Sequence, residues 1–455
     1  MKRWLWLAAA AVIVIAAGVT LVALPKGQEW TSSSPEAVAE FQAGIDAQMK
    51  LYEEDARRHF RQALELDPDF VMANLYTIDG YRHDGDEAKV EALRGKILAA
   101  DLSQLTPRER FFVERARARI EKRPEDAERL LDEYVARYPN DPYILHQKAL
   151  RAWGRGDLDE AERLNYRLVE ISPNWVIAYN QLGYINMMKG RFTEAEEYFK
   201  SYRFIAPDQA NPHDSLGELF ITLGRYAEAR ETLEKAVEIK PDFWAAYGHL
   251  VLLGAFGDDP ELVDSTIERA TALGGPESMV SSMACLRDYA ALRHAGAWET
   301  ILEQADSPCV TSYGDGFAIV TTHCAASKLG EWQTAEGIEK KTEEVIAKAT
   351  EAGDERKVEP LRGALLHMQG VRLALQGDRG AAVEKLREAD QHLTYMEAGS
   401  AIYKLINRAI LAEALLAEGQ DAEAAALMAE VRAVNPVLAS AFEASGHETL
   451  GLERG

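Results

Sequence analysis

Apolar residues follow two different patterns along this chain of 455 residues. The first is a continuous apolar run from Trp4 to Leu24, which contains no charged residue. The second begins near residue 31 and places apolar residues at helical spacing, interrupted by glycine and proline. In this second region the spacing predicts one helix from Ala178 to Lys189 and another from Thr193 to Phe204.

The two predicted helices form a hairpin. Gly190 supplies the turn between them, and Pro207 prevents the second helix from continuing. Gly183 on the first helix is small, so the two backbones can pack closely. The second helix has one apolar face, formed by Ala195, Phe199 and Tyr202. Because such a hairpin cannot bury its apolar face alone, neighbouring hairpins must stack.

The hairpin recurs with a period of 34 residues. Prolines keep this interval at Pro139, Pro173, Pro207 and Pro241. Alanines keep it at Ala127, Ala161, Ala195 and Ala229. Turn glycines keep it at Gly156, Gly190 and Gly224, and a Leu-Gly pair recurs at 182–183 and 216–217. Several features in one register predict an array of helical hairpins.

This arrangement resembles the tetratricopeptide repeat family. The matching residues are Leu182, Gly183, Phe192, Ala195, Phe199 and Pro207 in one repeat, and Leu216, Gly217, Tyr226, Ala229, Leu233, Ala236 and Pro241 in the next. The resemblance implies an all-α fold, a right-handed superhelical solenoid of stacked antiparallel hairpins. It is clearest over residues 108–243 and extends loosely over most of the remaining chain.

The repeat pattern also predicts a domain organisation. We expect a first repeat block over residues 31–277, an irregular helical insertion and loop over 278–315, and a degenerate second block over 316–444. The second block ends in a capping helix, and residues 445–455 form a tail. Residues 1–30 stand apart as an N-terminal segment.

The run from Trp4 to Leu24 has the length of a membrane span, since a helix of this length extends about 30 Å. Lys2 and Arg3 precede it, which places the N-terminus in the cytoplasm by the positive-inside rule. We favour an uncleaved single-pass anchor in a bacterial inner membrane, with the remaining chain in the periplasm. The alternative is a signal peptide cleaved after residues 16–18, which would leave a secreted or periplasmic protein.

Charge and cysteine content limit the functional classes. The net charge of −23 repels phosphate backbones, so we expect no nucleic-acid partner. The cysteines, without a C-x-x-C pair, are Cys285, Cys309 and Cys324. Outside the cytoplasm one disulfide is open to them in three pairings, but we favour three buried thiols.

Catalytic and metal-binding motifs are missing from the sequence. It contains no H-E-x-x-H, G-x-S-x-G, phosphate-binding loop or dinucleotide-binding motif. His213, Asp214 and Ser215 supply the residue types of a catalytic triad, but adjacent residues entering a helix rarely form one. We therefore predict no enzymatic activity, no cofactor and no metal site.

The resemblance implies a concave groove lined by the first helix of each hairpin, which binds extended or helical peptides. By register the lining residues are Tyr143, His146, Leu150, Trp153, Ile177, Asn180, Tyr184, Met187, Asn211, Asp214, Glu218 and Leu252. Ile221 and Phe256 face the groove in the same register. Relatives that bind acidic C-termini use Lys, Asn and Arg at these positions, whereas here Asp214 and Glu218 invert the charge. We therefore expect a protein or peptide partner with basic residues and aromatic or aliphatic anchors.

Two functional hypotheses follow. In the first, the protein is a membrane-tethered interaction scaffold on the extracytoplasmic side, with self-association as an open question. In the alternative, it is a sensor or adaptor subunit that relays binding laterally to another membrane protein. An enzyme built on Asp306, Tyr313 or Asp315 in the irregular insertion is not favoured by any feature of the sequence.

Overall fold

The computed structural model describes residues 30–311 and 316–444, together with Leu450 and Leu452, and the side chains of Glu355 and Arg356 are not described. The predicted anchor from Trp4 to Leu24 lies outside these residues, as do Tyr313 and Asp315 of the insertion. None of the described helices combines the length and the apolar character that a membrane crossing requires. The described part of the chain is helical and contains no strand, as the sequence predicts.

Contacts divide the chain into two compact units, one ending at Pro139 and one beginning at Asn140. The boundary falls inside the predicted block 31–277, and the predicted boundaries at 277 and 315 fall inside the second unit. The described helices of the first unit form three hairpins, α1 (Pro35–Met49) with α2 (Glu53–Leu66), α3 (Val71–His83) with α4 (Glu87–Ala99), and α5 (Pro107–Ile120) with α6 (Pro124–Arg137).

The second unit opens with four hairpins in the predicted register. They are α7 (Pro142–Gly154) with α8 (Leu158–Ile171), α9 (Val176–Met188) with α10 (Phe192–Ile205), α11 (Ala210–Thr222) with α12 (Tyr226–Ile239), and α13 (Trp244–Gly257) with α14 (Pro260–Ala272). The two helices predicted from residues 176–209 therefore exist with ends displaced by one or two residues. Helix ends often differ by this amount, because terminal turns fray.

The rest of the second unit is less regular. Three helices of decreasing length come first, α15 (Glu277–His294), α16 (Trp298–Glu303) and α17 (Pro308–Thr311). They are followed by α18 (Gly316–Lys328), α19 (Trp332–Glu351), α20 (Glu355–Leu375), α21 (Arg379–His392), α22 (Ala398–Ala417), α23 (Asp421–Val434) and α24 (Pro436–Ala444). The last of these lies where the sequence analysis predicts a capping helix.

Close packing inside a hairpin follows from the small residue at its centre. A Cβ atom added to Gly183 would lie 2.3 Å from Cε1 of Phe199, so only glycine fits there. Phe199, Ala195 and Tyr202 are fully buried, which confirms the predicted apolar face of α10. The turn at Gly190 has a φ of 70°, a left-handed conformation that glycine adopts without strain.

The irregular insertion packs into the core of the second unit. Tyr289, Ile301 and Val310 lie in one apolar cluster with Phe317 of α18. A disulfide joins Cys285 to Cys309, whose Cα atoms are 5.7 Å apart, and Cys324 is a free, partly buried thiol. The prediction of three thiols was therefore wrong for two of them. The segment between α16 and α17 returns to α15, where the Tyr289 hydroxyl donates to the Gln304 carbonyl at 3.1 Å, and this brings Cys309 next to Cys285.

Candidate functional site

A cluster of polar side chains lies where α9, α11 and α13, the first helices of three successive hairpins, are neighbours. The repeat register creates it, since Tyr184 and Glu218 are 34 residues apart and occupy equivalent positions. Tyr184 donates a hydrogen bond from its hydroxyl to Oε2 of Glu218 at 2.6 Å. Ser215 donates to Oδ1 of Asn180 at 2.9 Å. The sequence analysis predicted three of these four residues as groove positions.

His249 completes the cluster from α13. Its Nδ1 lies 2.8 Å from Oδ1 of Asp214, and its Nε2 lies 3.9 Å from Oε1 of Glu218. Burial alone would lower the pKa of His249, but the two carboxylates outweigh this effect and raise it to about 10. The imidazole is therefore cationic at neutral pH. Burial raises the pKa of Glu218, although His249 opposes that shift.

The cluster is covered by the C-terminal part of the same unit. Every residue of α11 from Ala210 to Thr222 is buried, although a concave face in an open array would contact solvent. Glu218 accepts a hydrogen bond at 2.7 Å from the backbone N–H of Ala398, the first residue of α22. The side chains of Asp214 and Glu218 are 4% and 2% exposed, so neither is accessible to a peptide in this arrangement.

A second contact fixes the C-terminal helices to α11. Asn435 is fully buried and donates from Nδ2 to the backbone carbonyl of Thr222 at 3.1 Å. Its Oδ1 accepts the N–H of Leu438 at 2.9 Å, which caps the start of α24. One side chain therefore caps the end of one helix and the beginning of another. Nearby, the ring of Tyr395 packs edge-on against Phe192, with centroids 5.1 Å apart.

The beginning of the groove on α7 remains open. Leu150 is 43% exposed, and Tyr143 and Trp153 on the same helix are partly buried. The Tyr143 ring packs against Trp175 with centroids 4.9 Å apart. His146 also contacts Trp175, at 5.8 Å, and burial lowers its pKa to about 4. This neutral histidine leaves the stripe on α7 predominantly apolar.

The remaining predicted lining residues are more buried than a binding surface requires. Ile177 and Met187 are 6% and 0% exposed and belong to the core between helices. Asn211 is buried and donates to the hydroxyl of Tyr202 at 3.2 Å. Leu252 is partly buried. A role of these positions in peptide binding stays a prediction.

The sequence analysis missed His249, Ala398 and Asn435. His249 follows Asp214 by 35 residues, one more than the repeat period, so the register alone does not select it. Ala398 and Asn435 contact residues 180 and 213 positions away. For Asn435 the Asn-Pro pair at the start of α24 is a cap signature, but nothing in the sequence indicates its second partner.

The side chains near the cluster do not form a catalytic triad. His213 turns to the backbone carbonyl of Pro207 at 3.2 Å, while Asp214 turns to His249 and Ser215 turns to Asn180. Three adjacent residues therefore face three separate partners. Among the described residues, no group of three or more His, Cys, Asp or Glu side chains has the arrangement of a metal site.

The described residues form helical-hairpin repeats in which C-terminal helices of the second unit cover α11. Sequence models of the tetratricopeptide repeat match residues 146–210 and residues 186–252. Residues 146–252 therefore contain tetratricopeptide repeats, as the sequence analysis predicts for this part of the chain. No curated protein matches it in sequence.

Three solved structures of other proteins are similar to this chain. MamA from Desulfovibrio magneticus RS-1 is 22% identical, with 36% of this chain and 94% of that chain covered and a TM-score of 0.32. PilF from Pseudomonas aeruginosa is 14% identical, with coverages of 52% and 91% and a TM-score of 0.27. Cut9 in complex with Hcn1 is 15% identical, with coverages of 89% and 75% and a TM-score of 0.45.

Proposed function

We propose that the protein is a membrane-tethered interaction scaffold that binds a partner protein on its concave face outside the cytoplasm. Tetratricopeptide repeats generally mediate protein–protein interaction, and the fold is typically not enzymatic. The observation that carries the proposal is the open apolar stripe on α7, where Leu150 remains 43% exposed. An exposed leucine beside two partly buried aromatic rings on one helix face offers apolar area to a partner.

The residues of the stripe share one side of a single helix. Tyr143, Leu150 and Trp153 recur at intervals of seven and three residues, which places them on one side of α7. Tyrosine and tryptophan give large contact areas at a low cost in side-chain entropy, and they are enriched where interfaces have most of their binding energy. The acidic balance of the chain favours a partner with basic residues around its apolar anchors.

Two features support a location outside the cytoplasm. The apolar run from Trp4 to Leu24, preceded by Lys2 and Arg3, has the composition of a single-pass anchor. The Cys285–Cys309 disulfide is stable in an oxidising compartment such as the bacterial periplasm. The proposal therefore places the helical units in the periplasm, tethered to the inner membrane. If the apolar run were cleaved, the units would be free in the periplasm instead.

Site-specific photocrosslinking in membranes of the native host tests this function. A photoreactive residue replaces Leu150, and a matched variant carries it at Tyr166 on α8, which is 40% exposed. We expect a discrete crosslinked partner from position 150 alone. After identification by mass spectrometry, the purified partner should bind Leu150→Glu at least tenfold more weakly than wild type. Equal crosslinks from both positions, or none, would contradict the groove assignment.

A further inference from the structure

The coverage of α11 needs a physical account, because neighbouring repeats do not provide it. A hairpin array buries the first helix of each pair on its sides, and the concave face stays open to solvent or ligand. On α7 that face is open, whereas on α11 it is closed. The difference is made by a segment that is 180 residues away in sequence, the N-terminus of α22.

We propose that α22, α23 and α24 form an intramolecular lid on the concave face, and that a partner reaches Asp214 and Glu218 only after this lid leaves α11. The inference rests on the proposed function, since it describes how access to the same groove is controlled. The closed structure is then the state without partner. Binding of the partner and docking of the lid exclude each other on α11.

The bonds that hold the lid include polar ones that water can replace. Glu218 accepts one backbone N–H from the lid, and the Thr222 carbonyl accepts one side-chain N–H from Asn435. When the lid leaves, the carboxylate and the carbonyl become hydrated rather than unsatisfied, which limits the cost of opening. Asp214 keeps His249 as its partner in both states, because that bond lies within the repeat array.

The charges of the covered cluster indicate which partner competes with the lid. When ionised, Asp214 and Glu218 have one cationic side chain between them, that of His249. The lid adds the partial positive charge of a helix N-terminus, which is smaller than a full charge, and also the carboxylate of its N-cap residue Glu397, which interacts electrostatically with His249. A Lys or Arg side chain of a partner would supply a full positive charge and several donors to Glu218. A basic partner segment is therefore the occupant that the open groove favours.

Chemical labelling of carboxylates tests the lid without any partner. The full-length protein is treated with a water-soluble carbodiimide and glycinamide, and amidation of Glu218 and Asp214 is quantified by mass spectrometry. Asn435→Ala removes the bond to Thr222 and should increase labelling of both residues at least tenfold over wild type. The exposed Glu231 on α12 should react equally in all variants and serves as the internal reference.

Asp378→Ala is the matched control for the loss of a helix cap. Asp378 caps α21 by accepting the N–H of Ala381 at 3.2 Å, and its bond does not involve α11. This variant should leave labelling of Glu218 at the wild-type level. Far-UV circular dichroism checks that each variant is folded. Tyr395→Ser, which removes the ring contact with Phe192, provides a second route to opening if Asn435→Ala does not fold.

Two results would overturn the inference. One is labelling of Glu218 that stays at the wild-type level in folded Asn435→Ala and Tyr395→Ser. The other is an equal increase in Asp378→Ala, which would indicate general loosening rather than release of a lid. The partner found through position 150 should also bind Asn435→Ala more tightly than wild type, and unchanged affinity would refute the competition. Failure of the proposed function appears separately, as loss of the position-150 crosslink.

Discussion

Replacement of Gly183 by alanine should destabilise the second unit, although alanine normally stabilises a helix. The added Cβ would lie 2.3 Å from Cε1 and 2.6 Å from Cδ1 of Phe199. The ring has no free space to move into, because Phe199 is fully buried and its edge packs against Tyr184 at 5.1 Å between centroids. The two helices of the hairpin must therefore separate to admit the methyl group.

Overpacking of a well-packed core costs about 1–3 kcal/mol. Alanine recovers about 0.5–1 kcal/mol over glycine in a helix interior. We therefore expect Gly183→Ala to lower the free energy of unfolding by about 1–2 kcal/mol. Gly248 in α13 is the matched control, since no atom lies within 4 Å of a Cβ built there. Gly248→Ala should instead raise the free energy of unfolding by about 0.5–1 kcal/mol.

Urea unfolding followed by far-UV circular dichroism measures both variants, and hydrogen–deuterium exchange of peptides from α9 and α10 localises the effect. The local measurement is needed because repeats and separate units can unfold in steps. In a Phe199→Ala background, the space left by the ring accepts the methyl group, so Gly183→Ala should become neutral or stabilising. Equal effects of Gly183→Ala and Gly248→Ala would refute the steric argument.

Further predictions concern the disulfide, the charged cluster and the surface. Reduction of the Cys285–Cys309 disulfide should lower stability by about 2–4 kcal/mol, seen as a lower Tm with dithiothreitol, and the double serine variant should not respond to the reductant. The pKa of His249 is raised from 6.5 to about 10. The charged imidazole therefore stabilises the folded state fully below pH 6.5, and this contribution is lost as the pH rises to 10. Wild type should therefore lose on the order of 3 kcal/mol more than His249→Asn over this interval, and equal losses in urea unfolding would disprove the assigned charge. Phe204 is 86% exposed, so Phe204→Ser should change the free energy of unfolding by less than about 0.5 kcal/mol, and a larger loss would mean that the ring is buried in solution.

The repeat architecture could be predicted because its determinants are local. The turn at Gly190 and the contact between Gly183 and Phe199 join residues of one hairpin, and the period of 34 residues repeats that information along the chain. The same register explains why Tyr184 meets Glu218, since equivalent positions of neighbouring hairpins are adjacent in the stack. Each of these contacts can be predicted from one repeat and its next neighbour.

The covered face and the disulfide could not be predicted, because each depends on where distant segments return. Asn435 contacts Thr222 over 213 positions, and no periodic pattern relates the two residues. For the cysteines, three pairings were open until the fold placed Cys285 next to Cys309. No sequence feature indicates the boundary between the units after Pro139, because the repeat register continues through it.

The lid explains why the two carboxylates of α11 each have hydrogen-bond partners within the protein. Asp214 and Glu218 would be well solvated on an open concave face and would need no special partners. Under the lid the two carboxylates lose their hydration, and burial of an unpaired charge costs free energy. The bonds to His249, Tyr184 and Ala398 offset this cost in the closed state. A partly open state would leave Glu218 short of both water and a donor. The cluster therefore favours a lid that is either docked or fully released, which is the behaviour that a two-state control of the groove requires.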